Sequence, residues 1–234
     1  MLISVHMPKT AGTSFERGLR QYFGDRLKLR YEDKPLHHTP IERNSAALVA
    51  ALRAIGGDKD LTDIDCIHGH FLPLRYRALR RTGGVRFVTW LRDPVDRLMS
   101  HYHYWKRAEP HAVRDKLHRQ MLEEDWSLEE FVVRPELRNV YRSFLWGFPV
   151  QRFAFIGITE HYAEDLKDFS RLFLGRALQA VEENRNPDQN PGSRKTTYSI
   201  DPSLRQIIEG THAADVSLYR YALQKRVERR AQQS

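Results

Sequence analysis

The ten residues His6-Met7-Pro8-Lys9-Thr10-Ala11-Gly12-Thr13-Ser14-Phe15 place a cation, a glycine and three hydroxyls directly behind the apolar start Met1-Leu2-Ile3-Ser4-Val5. That composition suits the capture of an anion. Set between a strand and a helix, the backbone N–H groups of residues 10 to 14 would converge on one tetrahedral anion. Thr10, Thr13 and Ser14 would add hydroxyl donors, and Gly12 would permit close approach. In the common nucleotide-binding loop a lysine closes the glycine-rich stretch and a hydroxyl residue follows it; here Lys9 comes first.

A second basic constellation lies in the stretch from Trp90 to Trp105. On a helix starting at Pro94, residues Arg97, Ser100, His101 and Tyr104 fall at i, i+3, i+4 and i+7, giving one polar face beside Arg92. Such a face could grip a second phosphate or simply be solvated, and Asp93 is explained by a helix N-cap. A third signal is His68-Gly69-His70 at the end of an apolar run. If the extended conformation persists, both imidazoles project in the same direction, and imidazole suits the removal of a hydroxyl proton near neutral pH. The pair is equally compatible with core packing, with orienting a substrate, or with a two-histidine metal site, although no third ligand stands at a recognisable spacing.

These residues need elements to position them. Residues 1 to 6 read as a short buried strand, 8 to 14 as a turn and 15 to 23 as a helix with apolar positions 15, 19, 22 and 23. A second amphipathic helix covers 42 to 55, and strands are expected at 64 to 71, 85 to 91 and 152 to 158. Helices follow at 94 to 107 and from Thr159, and 111 to 145 is mostly helical, with Ser127-Leu128-Glu129-Glu130 as a capping box. The Pro-, Gly- and Asn-containing stretch 183 to 199 predicts a long surface loop, and a last helix spans 203 to 224 before a frayed basic tail. Alternating strands and helices without repeats predict an α/β fold with a central parallel sheet, built as a single domain over 1–234 with a helical insertion at 108–150.

With 234 residues, 41% of them hydrophobic, there is material for one sizeable core. The net charge of +8 favours an anionic partner, whether nucleotide, acidic glycan, nucleic acid or membrane surface. The lone cysteine, Cys66, excludes an intrachain disulfide and reads as a small buried residue. No basic region followed by a long apolar stretch opens the chain, and no run reaches the roughly 18 apolar residues that span a bilayer. The expectation is a cytoplasmic protein without a transmembrane segment, for which peripheral membrane contact stays open.

Taken together, Pro8-Lys9-Thr10-Ala11-Gly12-Thr13-Ser14-Phe15 and, about 80 residues later, Leu91-Arg92-Asp93-Pro94-Val95-Asp96-Arg97-Leu98-Met99-Ser100-His101-Tyr102 resemble the paired donor-binding motifs of sulfotransferases that use 3′-phosphoadenosine 5′-phosphosulfate. The match is closest to the heparan sulfate 2-O-sulfotransferase-like group, in a compact, bacterial-type form, and it covers most of the chain from residue 5 to residue 222. The resemblance implies a P-loop-like three-layer α/β/α fold. It implies that Lys9, Thr10, Ala11, Gly12, Thr13 and Ser14 hold the 5′-phosphosulfate, that Arg92 and Ser100 hold the 3′-phosphate, and that Arg194, Lys195 and Thr196 close over the adenosine. It makes His70 the general base, His68 its support and Lys9 the stabiliser of the leaving phosphate, with adenosine 3′,5′-bisphosphate as product and no metal.

The acceptor implied is a hydroxyl on a glycan or another small hydroxylated molecule; the basic stretch from Pro73 to Arg81 is either a recruiting surface or a solvated helix face. Two other readings compete. A nucleotide kinase would use Asp93 at a magnesium site, but the lysine spacing is wrong. A noncatalytic binder of the bisphosphate or of nucleic acid would fit the charge, but no aromatic RNA-binding motif is present, and nucleic acid is not expected as a partner.

Overall fold

The computed structural model describes residues 1–55, 61–79, 84–178 and 198–232. Five strands pair into one sheet: β1 (Leu2–Val5), β2 (Leu27–Arg30), β3 (Cys66–Gly69), β4 (Arg86–Leu91) and β5 (Phe153–Ile158), in the order β2-β3-β1-β4-β5. Every pairing is parallel. This is the α/β fold that the alternating pattern predicts, with β1 at its centre. β2 was not foreseen: Leu27-Lys28-Leu29-Arg30 is a half-buried edge strand whose apolar and cationic residues alternate with strand period, but over only four positions.

Successive residues of β1 point to opposite faces of the sheet, and two separate cores follow. Leu2 joins Phe15, Leu19, Cys66, Val88, Trp90, Phe155, Leu166 and Phe169, beneath α1 (Gly12–Phe23) and α7 (Tyr162–Phe169). Ile3 and Val5 join Ile67, Leu91, Tyr141, Phe144, Ile158, Tyr219 and Ala222, beneath α6 (Val140–Phe144) and α9 (Ala213–Ala231). Helices thus cover both faces, giving three layers. Each fully buried Phe, Leu or Ile side chain contributes about 1.5–3 kcal/mol of burial free energy.

A third apolar cluster stands off the sheet. α3 (Pro94–Lys106) offers Val95, Leu98 and Met99 to Met121 of α4 (Lys116–Glu123), to Phe131 and Val132 of α5 (Leu128–Val132) and to Leu204 and Ile208 of α8 (Pro202–Thr211). The capping box at Ser127 and Glu130 is formed in both directions. α2 (Pro40–Ile55) closes the list, packing its alanine face, Ala47 and Ala51, on Leu72 and Leu74.

One expectation is corrected here. The C-terminal segment is two helices, α8 and α9, and α9 runs on to Ala231. Its basic end is tied down: Arg226 and Arg229 donate to the buried Asp165 at 2.8 and 3.1 Å, and Arg230 reaches Glu164 at 2.6 Å. Composition suggested fraying because the carboxylates that anchor the arginines lie about 60 positions upstream.

Candidate active site

Because all strands are parallel, their C-terminal ends share one edge, and register fixes which loops meet there. Val5 of β1 pairs with Gly69 of β3 and with Thr89 of β4, while Arg30 of β2 also pairs with Gly69. The loop after β1, the histidines ending β3 and the segment after β4 therefore emerge side by side. Open parallel sheets bind ligands at this edge, where the connections diverge to either side of a central strand.

The loop after β1 is held in a costly shape. Lys9 and Ala11, neither of them glycine, sit at φ of 68° and 61°, and such positions cost on the order of 1–3 kcal/mol each. The Thr10 hydroxyl, 1% exposed, donates to the Met7 carbonyl at 2.8 Å and pins the bend; its hydrogen is spent on the loop itself. Ala11 caps α1 without any side-chain acceptor, so the first N–H groups of the helix face the loop's concavity uncapped from the side chain. Ser14 is buried and Thr13 exposed.

Lys9 turns across to the neighbouring segment. Its Nζ lies 3.9 Å from the centre of the Tyr104 ring on α3. Burial, then the charges of Arg107 and Arg92, push its pKa down to about 8. An ammonium whose pKa falls first through burial and then through nearby guanidinium groups lies in a region of positive charge, suited to a multiply charged anion.

The segment after β4 is fixed through its backbone. Asp93 caps α3, accepting from Val95 and Asp96 N–H groups at 2.9 and 3.1 Å. The Tyr141 hydroxyl donates to the Arg92 carbonyl at 2.7 Å and accepts the Arg92 N–H at 3.0 Å. The Arg92 guanidinium lies over the Tyr198 ring at 5.7 Å, and Ser100 is half-buried on α3. The expected polar face is only partly presented. Arg97, 0% exposed, and His101 are covered, Arg97 lying by the Tyr141 ring with its charge felt by Asp215, while Tyr104 is exposed. Spacing places the four residues on one side of α3, but Tyr141 of α6 and Asp215 of α9 approach Arg97, and Phe131 of α5 packs on His101.

The histidines at the end of β3 part company. Ser4 and His68 are register partners on one face of the sheet, and His68 Nδ1 meets the Ser4 hydroxyl at 2.8 Å. His68 is 1% exposed and burial holds its pKa down to about 3, so it is neutral. His70 Nδ1 lies 2.6 Å from the His6 carbonyl. A carbonyl can only accept, so Nδ1 carries the hydrogen and Nε2 keeps its lone pair. Burial also lowers the His70 pKa, leaving the ring neutral and able to take a proton. Gly69 between them is required: at φ 155°, a Cβ there would sit 1.8 Å from the Arg30 carbonyl oxygen.

No family model matches the chain and no curated protein matches it. Among solved structures it is similar to a sulfotransferase from Alicyclobacillus acidocaldarius. The two are 17% identical, 92% of each chain is covered and the TM-score is 0.44. A likeness so distant carries no argument about activity, which is left to the geometry.

Two features escaped the motifs. His6 stacks with His68 at 5.2 Å and tilts over His70 at 4.3 Å between ring centres. Its ring occupies the space of a Gly12 side chain, since a Cβ on Gly12 would lie 1.7 Å from His6 Nε2. Gly12 thus makes room for an imidazole as well as for any anion. Tyr31 and Glu16 complete this neighbourhood, with Tyr31 donating to Glu16 at 2.6 Å. Tyr31 follows the unforeseen strand β2, so nothing in local spacing pointed to it. Arg194, Lys195 and Thr196 lie outside the described residues. Among those that are described, no group of three or more His, Cys, Asp or Glu side chains is placed to hold a metal ion, and no helix is long and apolar enough to cross a membrane.

Proposed function

We propose that this protein is a sulfotransferase that moves a sulfuryl group from 3′-phosphoadenosine 5′-phosphosulfate to an acceptor hydroxyl. The observation that carries the reading is the bridge from Lys9 to α3. The strained loop and the segment from Arg92 to Ser100 form one cationic edge around a lysine whose pKa is lowered first by burial and then by Arg107 and Arg92. A donor with anionic groups at both ends of an adenosine matches two linked sites better than a single phosphate does. The finer likeness to the heparan sulfate 2-O-sulfotransferase-like group rests on the motifs alone.

In this reading the N–H groups opening α1 and the Lys9 ammonium hold the 5′-phosphosulfate, and Arg92 with Ser100 holds the 3′-phosphate. Charge grows on the phosphate as the sulfuryl group leaves, and Lys9 stabilises it; deleting such a contact costs about 10²- to 10³-fold in rate. His70 Nε2 takes the acceptor's proton during in-line attack. His68, shut inside the sheet, acts by packing against its neighbours and touches no acceptor. The donor has no triphosphate chain for magnesium to bridge, so the reaction proposed needs no metal.

A cavity of about 430 Å³ lies between α2, which contributes Glu42, Arg43, Ala46 and Ala47, and the segments after β2 and β3, which contribute Glu32, Asp33, Leu72 and Arg75. Tyr31 and His70 rings are 4.9 Å apart. Carboxylates Glu32, Asp33 and Glu42 face Arg43 and Arg75 in this lining, and Asp33 is already held by Arg75 at 3.0 Å. That balance favours a neutral sugar or other polyhydroxylated molecule, met in the cytoplasm, over a heavily anionic glycan. The test is calorimetry with adenosine 3′,5′-bisphosphate in chelator, followed by labelled-donor transfer to a panel of hydroxylated acceptors. Metal-free binding that Lys9→Ala weakens, together with transfer, is the expected result. Magnesium-dependent ATP turnover without bisphosphate binding would overturn the reading.

A further inference from the structure

The roles above leave one hydrogen-bonded chain without a task. The Tyr31 hydroxyl gives its single hydrogen to Glu16 Oε2 at 2.6 Å, so toward His6 Nδ1, at 3.1 Å, its oxygen acts as acceptor. His6 therefore carries its hydrogen on Nδ1 and presents Nε2 as a lone pair. That nitrogen abuts Gly12 in the anion loop, and the ring lies 4.3 Å from His70. Of the three clustered imidazoles, His70 leans on a backbone carbonyl and His68 on a serine hydroxyl, while His6 is linked through a phenol to a carboxylate.

We propose that His6 is a second proton acceptor of this site, a catalytic residue, with Tyr31 and Glu16 as positioning residues that set its tautomer and balance the charge it gains. This rests on the sulfuryl-transfer reading. The acceptor oxygen forms its bond to sulfur, the bond from sulfur to the bridging oxygen breaks with its electron pair staying on the phosphate, and the acceptor's one proton, taken first by His70 Nε2, is passed on to His6 Nε2 in the ring 4.3 Å away. The imidazolium so formed is answered by Glu16 through Tyr31.

The groups facing His6 are His68 from β3, His70 just after it, Lys9 from the loop, Tyr31 just after β2, and Glu16 with its partner Arg20 from α1, the last pair 2.8 Å apart. Burial first, then His70, His68 and Lys9, hold His6 well below its ordinary value, so it rests neutral and ready to accept. Glu16 is the one carboxylate in this set, and its charge also supports a proton on His70.

Two measurements test the proposal. Nitrogen-15 spectra of the labelled protein at neutral pH should show His6 as the Nδ1–H tautomer, with the preference lost in Tyr31→Phe; an Nε2–H tautomer overturns the proposal whatever the turnover. In labelled-donor assays, Tyr31→Phe and Glu16→Gln should lower kcat/KM about tenfold and shift the acid limb of its pH profile, with bisphosphate affinity unchanged. His6→Ala should lose about 10²-fold, partly restored by added imidazole. Active wild-type protein with unshifted profiles in both variants, or His6→Ala without loss, sinks the His6 assignment alone. Wild-type protein that binds bisphosphate yet transfers no label sinks the sulfuryl-transfer reading and this step with it.

Discussion

Lys9 is the residue where charge, strain and position coincide. With its pKa pushed down to about 8, it loses its cation within reach of ordinary buffers. Affinity for adenosine 3′,5′-bisphosphate should therefore fall as pH rises through about 8, and Lys9→Arg, which stays protonated, should flatten that dependence; calorimetry between pH 7 and 9 reads it directly. His70 makes a different demand. Its burial-lowered pKa keeps it neutral down through the ordinary histidine range, so transfer should hold at neutral pH and decline only on acidification below that range. His70→Ala should reduce transfer about 10²-fold or more while bisphosphate binding stays nearly intact. Equal loss of binding and turnover would make His70 a structural residue instead. Gly12→Ala should act through His6, because the added methyl collides with a ring that Tyr31 holds in place.

At the scale of elements, α9 decides whether the sheet's last strand stays in register. Asp165 is fully buried, accepts the Ile158 N–H at 2.8 Å and is answered by Arg226 and Arg229. Removing both arginines leaves a buried carboxylate without its cations, a loss of about 3–5 kcal/mol. The Arg226→Ala, Arg229→Ala double variant should melt on the order of 10 °C lower by calorimetry, and an unshifted melting point would show the end of α9 to be dispensable. Helical structure was legible over about 203 to 224, without its division into α8 and α9. Its continuation was not, because the reason for it lies on α7. The edge strand β2 was missed for a similar reason: four residues are too short a run to mark a strand locally, and they become one by pairing with β3.

The whole molecule carries several neutral buried histidines. Burial holds His68 at about 3 and His212 at about 4, and keeps His6 and His101 well below the usual value. In the unfolded chain these groups titrate near 6.5. Below that pH the unfolded state binds protons that the folded state refuses, so stability should be full above about 6.5 and should drain away as pH falls toward 4. Each such histidine contributes a slope of about 1.4 kcal/mol per pH unit in that window. Asp96, Glu160 and Asp215, raised by burial, act in the opposite sense and soften the acid end. Urea midpoints measured from pH 4 to 8 check this, and His212→Asn should reduce the slope; a midpoint independent of pH would contradict the neutral burial of these rings.

What the amino-acid order determined by itself was local: an apolar run, a lysine and hydroxyl turn and a helix start in sequence, a proline-led helix behind Arg92, and two histidines ending a strand. Each of these signals lies within one element and depends on steric and hydrogen-bonding rules that act over a few residues. Tertiary structure decided which side chains meet. Parallel pairing put Ser4 beside His68, carried Lys9 onto Tyr104, hid Arg97 under α6 and α9, and assembled His6, Tyr31 and Glu16 from three different elements. Contacts of that kind arise from register and from the packing of helices on the sheet, and no spacing along the chain encodes them.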